Sequence, residues 1–497
     1  MRKKIITFVL VAALIGWVAM LVIQKRGSHQ APAEQITAVS PTSSAAASAS
    51  PSASASGSPG SSSTAAGSAG VPLDSDAGAP KLMDRSLRVI ALGWDLAAPG
   101  VLANGGVSTS KTSDFATSGL DVQIAVATTP APLEAALARG GEDKDGADVA
   151  ILPLPTFVAA YERLRALSLD MFFVVGWSRG REAIASTKNE WPSKGEIKLA
   201  GSTGHPATFL ALWAFDLGTI APSQVKLLSP GAPASDAPIA AIDRSSALPP
   251  DTSRNALLLT TADAPKLIPY VAVAPRGFIE QRSRALTTWA SSWLAGARKL
   301  AQDAPGGARV VATSKDAPEP IALLQTLGQS VPATLADNVR AAGLSGRGAV
   351  TLDTLFQRSW AIWRAAGVLA TPSPEATPIS TAVINALARA EPSQAGSVPD
   401  DAKPRDAGTQ AKVLLTYRQP DGKFDEASFV ATAGLLAGVF ERAPLRLGIG
   451  GAAIDKNRTK KALDDVSGRF GLPQGRLTPA TKTVSAAAAF VEVLAVP

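Results

Sequence analysis

Short apolar segments alternate with segments of helical spacing between residues 86 and 275. Leu87–Gly93, Ala147–Leu152 and Met171–Trp177 are nearly continuous apolar runs of strand length, and Thr156–Leu167 has the apolar spacing of a helix. Strands that are apolar on both faces lie in sheets covered on both sides, and a helix between two strands makes them parallel neighbours. The pattern therefore predicts an α/β fold with a largely parallel sheet.

The same reading extends over residues 85–390, which are predicted to form one folded region. Further strands are predicted at Asp121–Ala127, Ala183–Ser186, Glu196–Ala200, Gln224–Leu228, Ile239–Ile242, Ala256–Thr260 and Tyr270–Ala274. Further helices are predicted at Pro132–Arg139, Phe278–Gln302, Glu319–Leu327, Thr334–Ala342, Thr351–Ala366 and Ile379–Ala390. Trp94 and Asp95, after the first strand, are predicted to lead into a glycine-rich loop.

An apolar segment, residues 5–23, lies near the start of the chain. It contains 19 residues without a charge, enough for a helix that nearly crosses the roughly 30 Å of bilayer hydrocarbon. The basic residues Arg2, Lys3 and Lys4 precede it, so the N-terminus is predicted to stay cytoplasmic. Residues 1–26 are therefore predicted to be a single-pass inner-membrane anchor, with the bulk of the chain in the periplasm. A cleaved signal peptide is the alternative.

Two polar segments divide the rest of the chain. Residues 27–84 are rich in Ala, Ser, Pro and Gly and are predicted to be a disordered linker. Residues 391–411 are predicted to be a second linker. The remainder, 412–497, is predicted to form a small α/β domain with strands Lys412–Tyr417, Leu445–Ile449 and Ser485–Val496 and helices Ser428–Phe440 and Lys460–Phe470.

Composition excludes several classes of function. The chain has no cysteine, and its two histidines are His29 and His205. Disulfides, thiol catalysis and Cys/His zinc sites are therefore excluded, and no cofactor, metal site or catalytic residue is predicted. The net charge of +7 comes mostly from the basic residues that flank the apolar segment. No concentrated basic face remains elsewhere, so nucleic-acid binding is not expected.

A polar loop, Gly201–His205, precedes a helix that is predicted to be amphipathic. The apolar face of this helix is formed by Leu210, Trp213, Ala214 and Leu217. Pro206 suits the first turn, and Gly218 is predicted to end the helix in a left-handed conformation. The loop thus lies at a helix N-terminus, where free N–H groups can hold an anion. The alternative is an ordinary capped turn.

The order of these segments resembles the type II periplasmic solute-binding proteins, nearest to their nitrate/sulfonate/taurine and thiamine-precursor branch. The resemblance rests on RVIALGWDLA, DVQIAVATTPAPLEAALARG with GADVAILPLPTF, VVGWSRGREAIAS, KLAGSTGHPATFLALWAFDLG and LLTTADAPKLIPYVAVAPRGFIEQ. It implies a two-lobed fold, with a second lobe at about residues 180–270, that closes on a small solute. The segment SPGAPASDAPIAAIDRSS departs from the family, because Asp243 and Arg244 stand where an aromatic–acid pair is usual.

Ligands of α/β folds bind at the carboxyl ends of the strands, together with helix N-termini. The residues predicted at these positions are Trp94, Asp95, Pro155, Thr156, Trp177, Ser178, Arg179, Ser202, Thr203, His205, Asp243 and Arg244. Trp94 and Trp177 are either a stacking surface or core residues. Arg179 and Arg244 either hold an anionic group of the solute or are solvated surface charges. His205 either donates to a ligand or satisfies the local backbone.

The tail resembles, more distantly, the OmpA-like peptidoglycan-binding domains through LRLGIGG, Asn457 and GLPQGRL. That family grips a peptide stem with an aspartate and an arginine. Here Asp455 is displaced, and the helix offers Lys460 and Lys461 instead. The resemblance implies a peptidoglycan contact, and the departure leaves a fold without that chemistry as the alternative.

Three functions are compatible with these features. The first is a membrane-anchored binding protein that delivers a solute to an ABC-type transporter permease or to a sensor, without enzymatic activity. The second is an enzyme on the same fold, which would need more than one histidine or a cofactor lysine in the cleft. The third is a cell-envelope scaffold with degenerate lobes and a tail that contacts peptidoglycan or protein.

Overall fold

The computed structural model describes residues 79–192, 195–245, 253–346, 348–396, 411–419, 424–473, 475–484 and 487–495. The predicted membrane segment and most of the predicted first linker lie outside these residues. The last residues of that linker contact the first lobe, because the Leu82 N–H donates to the Gly119 carbonyl at 2.9 Å and Met83 is buried. None of the helices in the described ranges has the length and apolarity that a bilayer crossing requires.

Strands alternate with helices in the described residues as far as residue 178, and from there to residue 275 most strands follow one another directly. The strands are β1 Leu87–Leu92, β2 Val122–Ala127, β3 Val149–Pro153, β4 Leu169–Ser178, β5 Glu182–Ser186, β6 Ile197–Ala200, β7 Val225–Leu228, β8 Ile239–Asp243, β9 Ala256–Thr260, β10 Pro269–Pro275, β11 Ser330–Pro332, β12 Val413–Gln419, β13 Leu445–Ile449, β14 Leu477–Pro479 and β15 Ala489–Leu494.

Helices cover the sheets and make up most of the chain after β10. They are α1 Trp94–Asn104, α2 Asp114–Thr117, α3 Pro130–Arg139, α4 Leu154–Leu164, α5 Pro206–Leu217, α6 Arg276–Gln281, α7 Ser283–Gln302, α8 Ala304–Val311, α9 Pro320–Leu327, α10 Leu335–Ala341, α11 Leu352–Ala365, α12 Ala382–Ala390, α13 Pro392–Ala395, α14 Glu426–Val439 and α15 Lys456–Phe470.

Two separate sheets define two lobes. The first lobe has a six-stranded sheet in the order β11-β4-β10-β3-β1-β2, and the second has a five-stranded sheet in the order β7-β6-β8-β5-β9. In the first sheet β1 runs parallel to β2 and β3, whereas β10 runs antiparallel to β3 and β4. The chain crosses between the lobes twice, from β4 to β5 and from β9 back to β10. The expected two-lobed α/β fold is therefore confirmed. The expectation of a largely parallel sheet is wrong, because β4, β5, β9 and β10, between which the chain crosses from lobe to lobe, pair antiparallel with their neighbours and make both sheets mixed.

The opening helix α1 corrects the prediction of a glycine-rich loop after Trp94. Pro99 and Gly100 lie inside this helix and weaken its sequence signal. Gly100 is required by packing, because a Cβ placed on it would lie 2.1 Å from the ring of Trp293 in α7. The contact between α1 and α7 is a tertiary feature, and it overrides the low helix propensity of the segment.

The C-terminal residues form a third sheet, in the order β12-β15-β13-β14, that packs on the two lobes. Phe440 stacks on Trp213 of α5 with ring centroids 5.9 Å apart, and the Trp191 indole N–H donates to the Leu414 carbonyl at 2.8 Å. The described residues from 79 onward accordingly form one compact unit. The predicted second linker is in part helical, since α13 lies within it, and its residues 397–410 lie outside the described residues.

Docking of the tail changes the character of α5. Every residue of this helix except Asp216 is buried, so the helix is covered on all sides and is not amphipathic as predicted. Pro206 lies in its first turn, as expected. The left-handed residue after the helix is Thr219, with a φ of 74°, whereas Gly218 has a φ of −78° and continues the last turn.

Candidate interlobe binding site

Arg181 lies in the first crossing segment and joins the two lobes. Its Nη1 donates to Asp95 Oδ2 at 2.9 Å, and its Nε donates to Asp243 Oδ1 at 3.4 Å. Asp95 belongs to the first turn of α1 in the first lobe, and Asp243 ends β8 in the second lobe. All three side chains are at most 19% exposed. One guanidinium therefore bridges a carboxylate from each lobe in a largely buried setting.

The helix-start loop of the second lobe contacts this bridge. His205 caps α5 by accepting from the Ala207 N–H on Nδ1 at 3.2 Å, which directs its Nε2 to within 3.6 Å of Asp243 Oδ2. The Thr156 hydroxyl, at the start of α4 in the first lobe, donates to the Gly204 carbonyl at 2.9 Å. The two helix N-termini thus face each other across the lobes, with the Arg181 bridge beside them.

Polar residues also fill the two crossing segments beneath the bridge. The Ser178 hydroxyl lies 2.9 Å from that of Thr261 and is hydrogen-bonded to the carboxyl group of Glu182. Ser178, Glu182 and Thr261 are at most 1% exposed, and so is Tyr270 next to them. The lobes are therefore joined by a polar hinge rather than by an apolar seam.

The pKa values of the carboxyl groups in this cluster are shifted in opposite directions. Burial raises the pKa values of Asp95 and Glu182 above their ordinary range, although Arg181 attracts their ionised forms. Burial acts on Asp243 in the same direction, but hydrogen bonds from His205 and Ser245 and the charge of Arg181 hold the pKa of Asp243 well below its usual range. Asp243 is therefore the firmly ionised partner of Arg181.

Replacement of Asp243 by asparagine is expected to destabilise the protein by about 1.5–3 kcal/mol at pH 7, because the charge-assisted contacts are lost. A folded-state pKa below the unfolded value of about 3.9 gives stability that is present above that pH and lost below it. The difference from wild type should therefore shrink as the pH falls below about 4. Urea unfolding at several pH values measures this.

Asp95→Asn is the matched control for this pH trend. The raised pKa of Asp95 gives stability that is present at low pH and lost as the pH rises through the folded-state pKa. Asparagine mimics the neutral carboxyl group, so the free energy of unfolding of this variant should increase relative to that of wild type as the pH rises. If Asp243→Asn lowers the free energy of unfolding by the same amount at pH 3 and at pH 7, the pKa of Asp243 is not lowered in the folded state.

The remaining predicted residues lie around the cluster or away from it. Trp94 is partly buried, and the Pro155 carbonyl accepts from the indole N–H of Trp363 at 2.8 Å. The side chains of Arg179, Ser202, Thr203 and Arg244 are at exposed positions. The Arg244 guanidinium donates to the Gly180 carbonyl at 3.3 Å. Neither predicted anion-holding arginine therefore takes part in the buried bridge.

Trp177 requires a correction. It is 3% exposed, and its ring lies under the ammonium group of Lys266, 4.8 Å from the ring centroid, in the wall of a cavity next to the tail. Neighbouring residues of a strand point to opposite faces. Because Ser178 points to the hinge cluster, Trp177 points to the other face of the sheet and is not part of an aromatic wall of the interlobe site.

Arg181 and Glu182 carry the hinge cluster and were not predicted. In the segment that contains them, VVGWSRGREAIAS, Arg179 was predicted as a candidate anion-holding residue, with Arg244 as a second candidate elsewhere, and Arg181 was not predicted. A usable signal was present, because Glu182 is a charge at the start of an otherwise apolar strand and needs a buried partner. Among the described residues no group of His, Asp or Glu side chains is arranged to hold a metal ion.

No protein-family model matches the chain, and no curated protein matches it. Similar solved structures include the ligand-binding component of an ABC-type import system from Staphylococcus aureus, with 10% identity, a TM-score of 0.42, and coverage of 61% of this chain and 98% of that chain. The aliphatic sulphonate-binding protein SsuA from Escherichia coli has 13% identity, a TM-score of 0.37, and coverage of 60% and 96%.

A third similar structure is the Candida albicans CA3427 gene product, which is described as having the generic periplasmic binding protein fold. It has 11% identity and a TM-score of 0.37, and the match covers 61% of this chain and 95% of that one. Identities this low say nothing about the ligand of this chain.

Proposed function

We propose that this chain is a membrane-anchored extracytoplasmic solute-binding protein that captures a small solute between its lobes for an ABC-type transporter or a sensor. The observation that carries the proposal is the bridge of Arg181 to Asp95 and Asp243, since it places charged groups from both lobes at one buried point. Two lobes that meet at a polar hinge can open and close on a ligand without covalent chemistry.

The bridge also explains how a solute would act on the lobes. The two lobes are held together here by the protein's own ion pairs and by the contact of Thr156 with Gly204. A solute that enters must replace some of these contacts with its own. An anionic group would pair with Arg181, and a cationic group would pair with Asp95 or Asp243. In either case the solute binds where the chain crosses between the lobes.

The test is thermal melting of the full-length chain with alkanesulfonates, nitrate, pyrimidines, amino acids and diamines. A ligand should raise the melting temperature in a concentration-dependent manner. Arg181→Gln should abolish this rise, whereas the same change at exposed Arg179 should leave it intact. The absence of a shift with every compound, together with retention of the chain on peptidoglycan, would replace this proposal by the scaffold function.

The rest of the proposal concerns location and the tail. Residues 5–23 would anchor the chain in the inner membrane, with the folded part in the periplasm. For the tail, two of the residues in the expected peptidoglycan-contacting region already have partners within the chain. Asp455 caps α15 by accepting from the N–H groups of Asn457 and Arg458, and Lys461 pairs with Glu426 at 2.6 Å.

A further inference from the structure

The end of helix α14 lies where the tail meets the two lobes. Three successive residues there, Gly438, Val439 and Phe440, contact three different parts of the chain, and we term them the tail clamp. Phe440 stacks on Trp213 of α5 in the second lobe, with ring centroids 5.9 Å apart, and both side chains are fully buried. The tail clamp is therefore attached to the second lobe by a buried aromatic contact.

The residue before Phe440 contacts the second crossing segment. The Val439 carbonyl accepts from the backbone N–H of Lys266, which lies between β9 and β10, at 3.3 Å. The last carbonyls of a helix have no partner within the helix, and here an outside donor satisfies one of them. Arg476 donates to the carbonyls of Ala437 and Phe440, each at 2.7 Å. The helix end is therefore held in place beside the second crossing segment.

Gly438 contacts a segment that belongs to the first lobe. A Cβ placed on Gly438 would lie 2.4 Å from Cγ2 of Val350, in the loop between α10 and α11. Both of these helices pack on the first lobe. Asn338 of α10 accepts from a backbone N–H of β4 at 2.7 Å, and Phe356 of α11 packs on Tyr161 of α4 with ring centroids 5.7 Å apart. The tail clamp thus contacts both lobes and a crossing segment at once.

The spacing of these contacts restricts the motion of the lobes. Gly438 and Phe440 are two residues apart, and two residues of extended chain span at most about 7 Å. The lobes therefore cannot move apart at this face while both contacts persist. In α5, Trp213 lies about 12 Å along the helix axis from His205, which is beside the Arg181 bridge. A change in the angle between the lobes rotates α5 and disturbs the stacking on Phe440.

We propose that the tail clamp holds the lobes in the arrangement of this structure, and that the lobes separate at the interlobe site only when the clamp releases one of them. This regulation rests on the proposed function in one respect, since it requires that the interlobe site opens to admit a solute. Docking of the tail and opening of the site then exclude each other, so a change at either place shifts the equilibrium at the other.

Distance measurements by pulsed electron spin resonance test this proposal on the full-length chain without any solute. The chain has no cysteine, so Ala135→Cys in α3 and Lys226→Cys in β7, both at exposed positions, place one spin label on each lobe. With the tail clamp unchanged, one narrow distance is expected. Phe440→Ala removes the stacking that opposes separation, so it should increase the fraction of molecules with a longer distance at least about tenfold.

Gly438→Ala is a second clamp variant that keeps the helix. Alanine favours a helix more than glycine does, but its methyl group would overlap Val350, whose branched side chain is stiff. This variant should give the same longer distance, and adding Val350→Ala should restore the narrow one. Phe115→Ala is the matched control, because Phe115 is equally buried but lies in α2, which packs on α1 and α7. It should leave the distance unchanged.

A wild-type distance in both clamp variants would overturn the proposal and assign the locking of the lobes to α11, whose Trp363 packs on Phe209 of α5 with ring centroids 6.2 Å apart. A longer distance in Phe115→Ala as well would also overturn it, because the effect would then be general destabilisation. If Phe440→Ala does not fold, Gly438→Ala and its rescue decide the question.

These outcomes are separate from those of the proposed function. A solute that raises the melting temperature, in a chain whose clamp variants keep the wild-type distance, would refute only the clamp. Clamp variants that open, in a chain that binds none of the tested compounds, would refute only the proposed function.

Discussion

Arg181→Gln is expected to lower the free energy of unfolding by about 3–5 kcal/mol, the loss that follows when one partner of a buried ion pair is removed. The substitution leaves Asp243 ionised and Asp95 and Glu182 buried without their counter-charge. It also removes a side chain that pairs with a carboxylate from each lobe. Urea unfolding of the purified variant at pH 7 measures the loss.

Arg179→Gln is the control, since Arg179 lies two residues away in the same crossing segment with an exposed side chain. It should change the stability by no more than about 0.5 kcal/mol. Adding Asp95→Asn to Arg181→Gln should recover part of the loss, because one uncompensated carboxyl group is removed. A loss below about 1 kcal/mol for Arg181→Gln alone would show that the bridge does not hold the lobes together.

Trp213→Ala is expected to cost about 3–5 kcal/mol and to loosen the tail selectively. The Trp213 side chain is fully buried in α5 and stacks on Phe440 at the end of α14. Its removal opens a void between the second lobe and the C-terminal sheet. Amide hydrogen exchange in β13 should therefore become faster, as measured by mass spectrometry under native conditions.

Trp293→Ala separates docking of the tail from global stability. Trp293 is equally buried, but it packs against Gly100 and Trp289 in the first lobe, away from the C-terminal sheet. This variant should lose a similar amount of stability, but amide hydrogen exchange in β13 should not become selectively faster. Equal exchange of β13 in both variants would mean that the stacking of Trp213 on Phe440 does not dock the tail.

Local pattern was enough for most of the elements but not for all of them. The apolar runs at β1, β3 and β4 were predicted because strands buried on both faces leave a continuous apolar signal. The helix α1 was missed because Pro99 and Gly100 mask it. The reason for Gly100 lies in the ring of Trp293, which is almost two hundred residues away in the sequence.

The sequence predicted the two aspartates and the histidine of the candidate site, but it did not predict the arginine that joins the aspartates. Asp95, His205 and Asp243 were predicted from their places at strand ends and helix starts, and the structure brings them together. Arg181 was missed because sequence order alone does not show which of two nearby arginines turns inward. The crossing of the lobes makes that choice, since it directs Arg181 between Asp95 and Asp243 and leaves Arg179 exposed.

The sequence by itself determined the alternation of strands and helices, and with it the α/β class, because hydrophobic periodicity is a local property. Only the tertiary structure decided which face each side chain occupies. It sets the Trp177 ring under the Lys266 ammonium group, buries α5 on all sides, and turns Arg181 inward between Asp95 and Asp243. These features arise from contacts between segments far apart in the chain, and no local pattern encodes them.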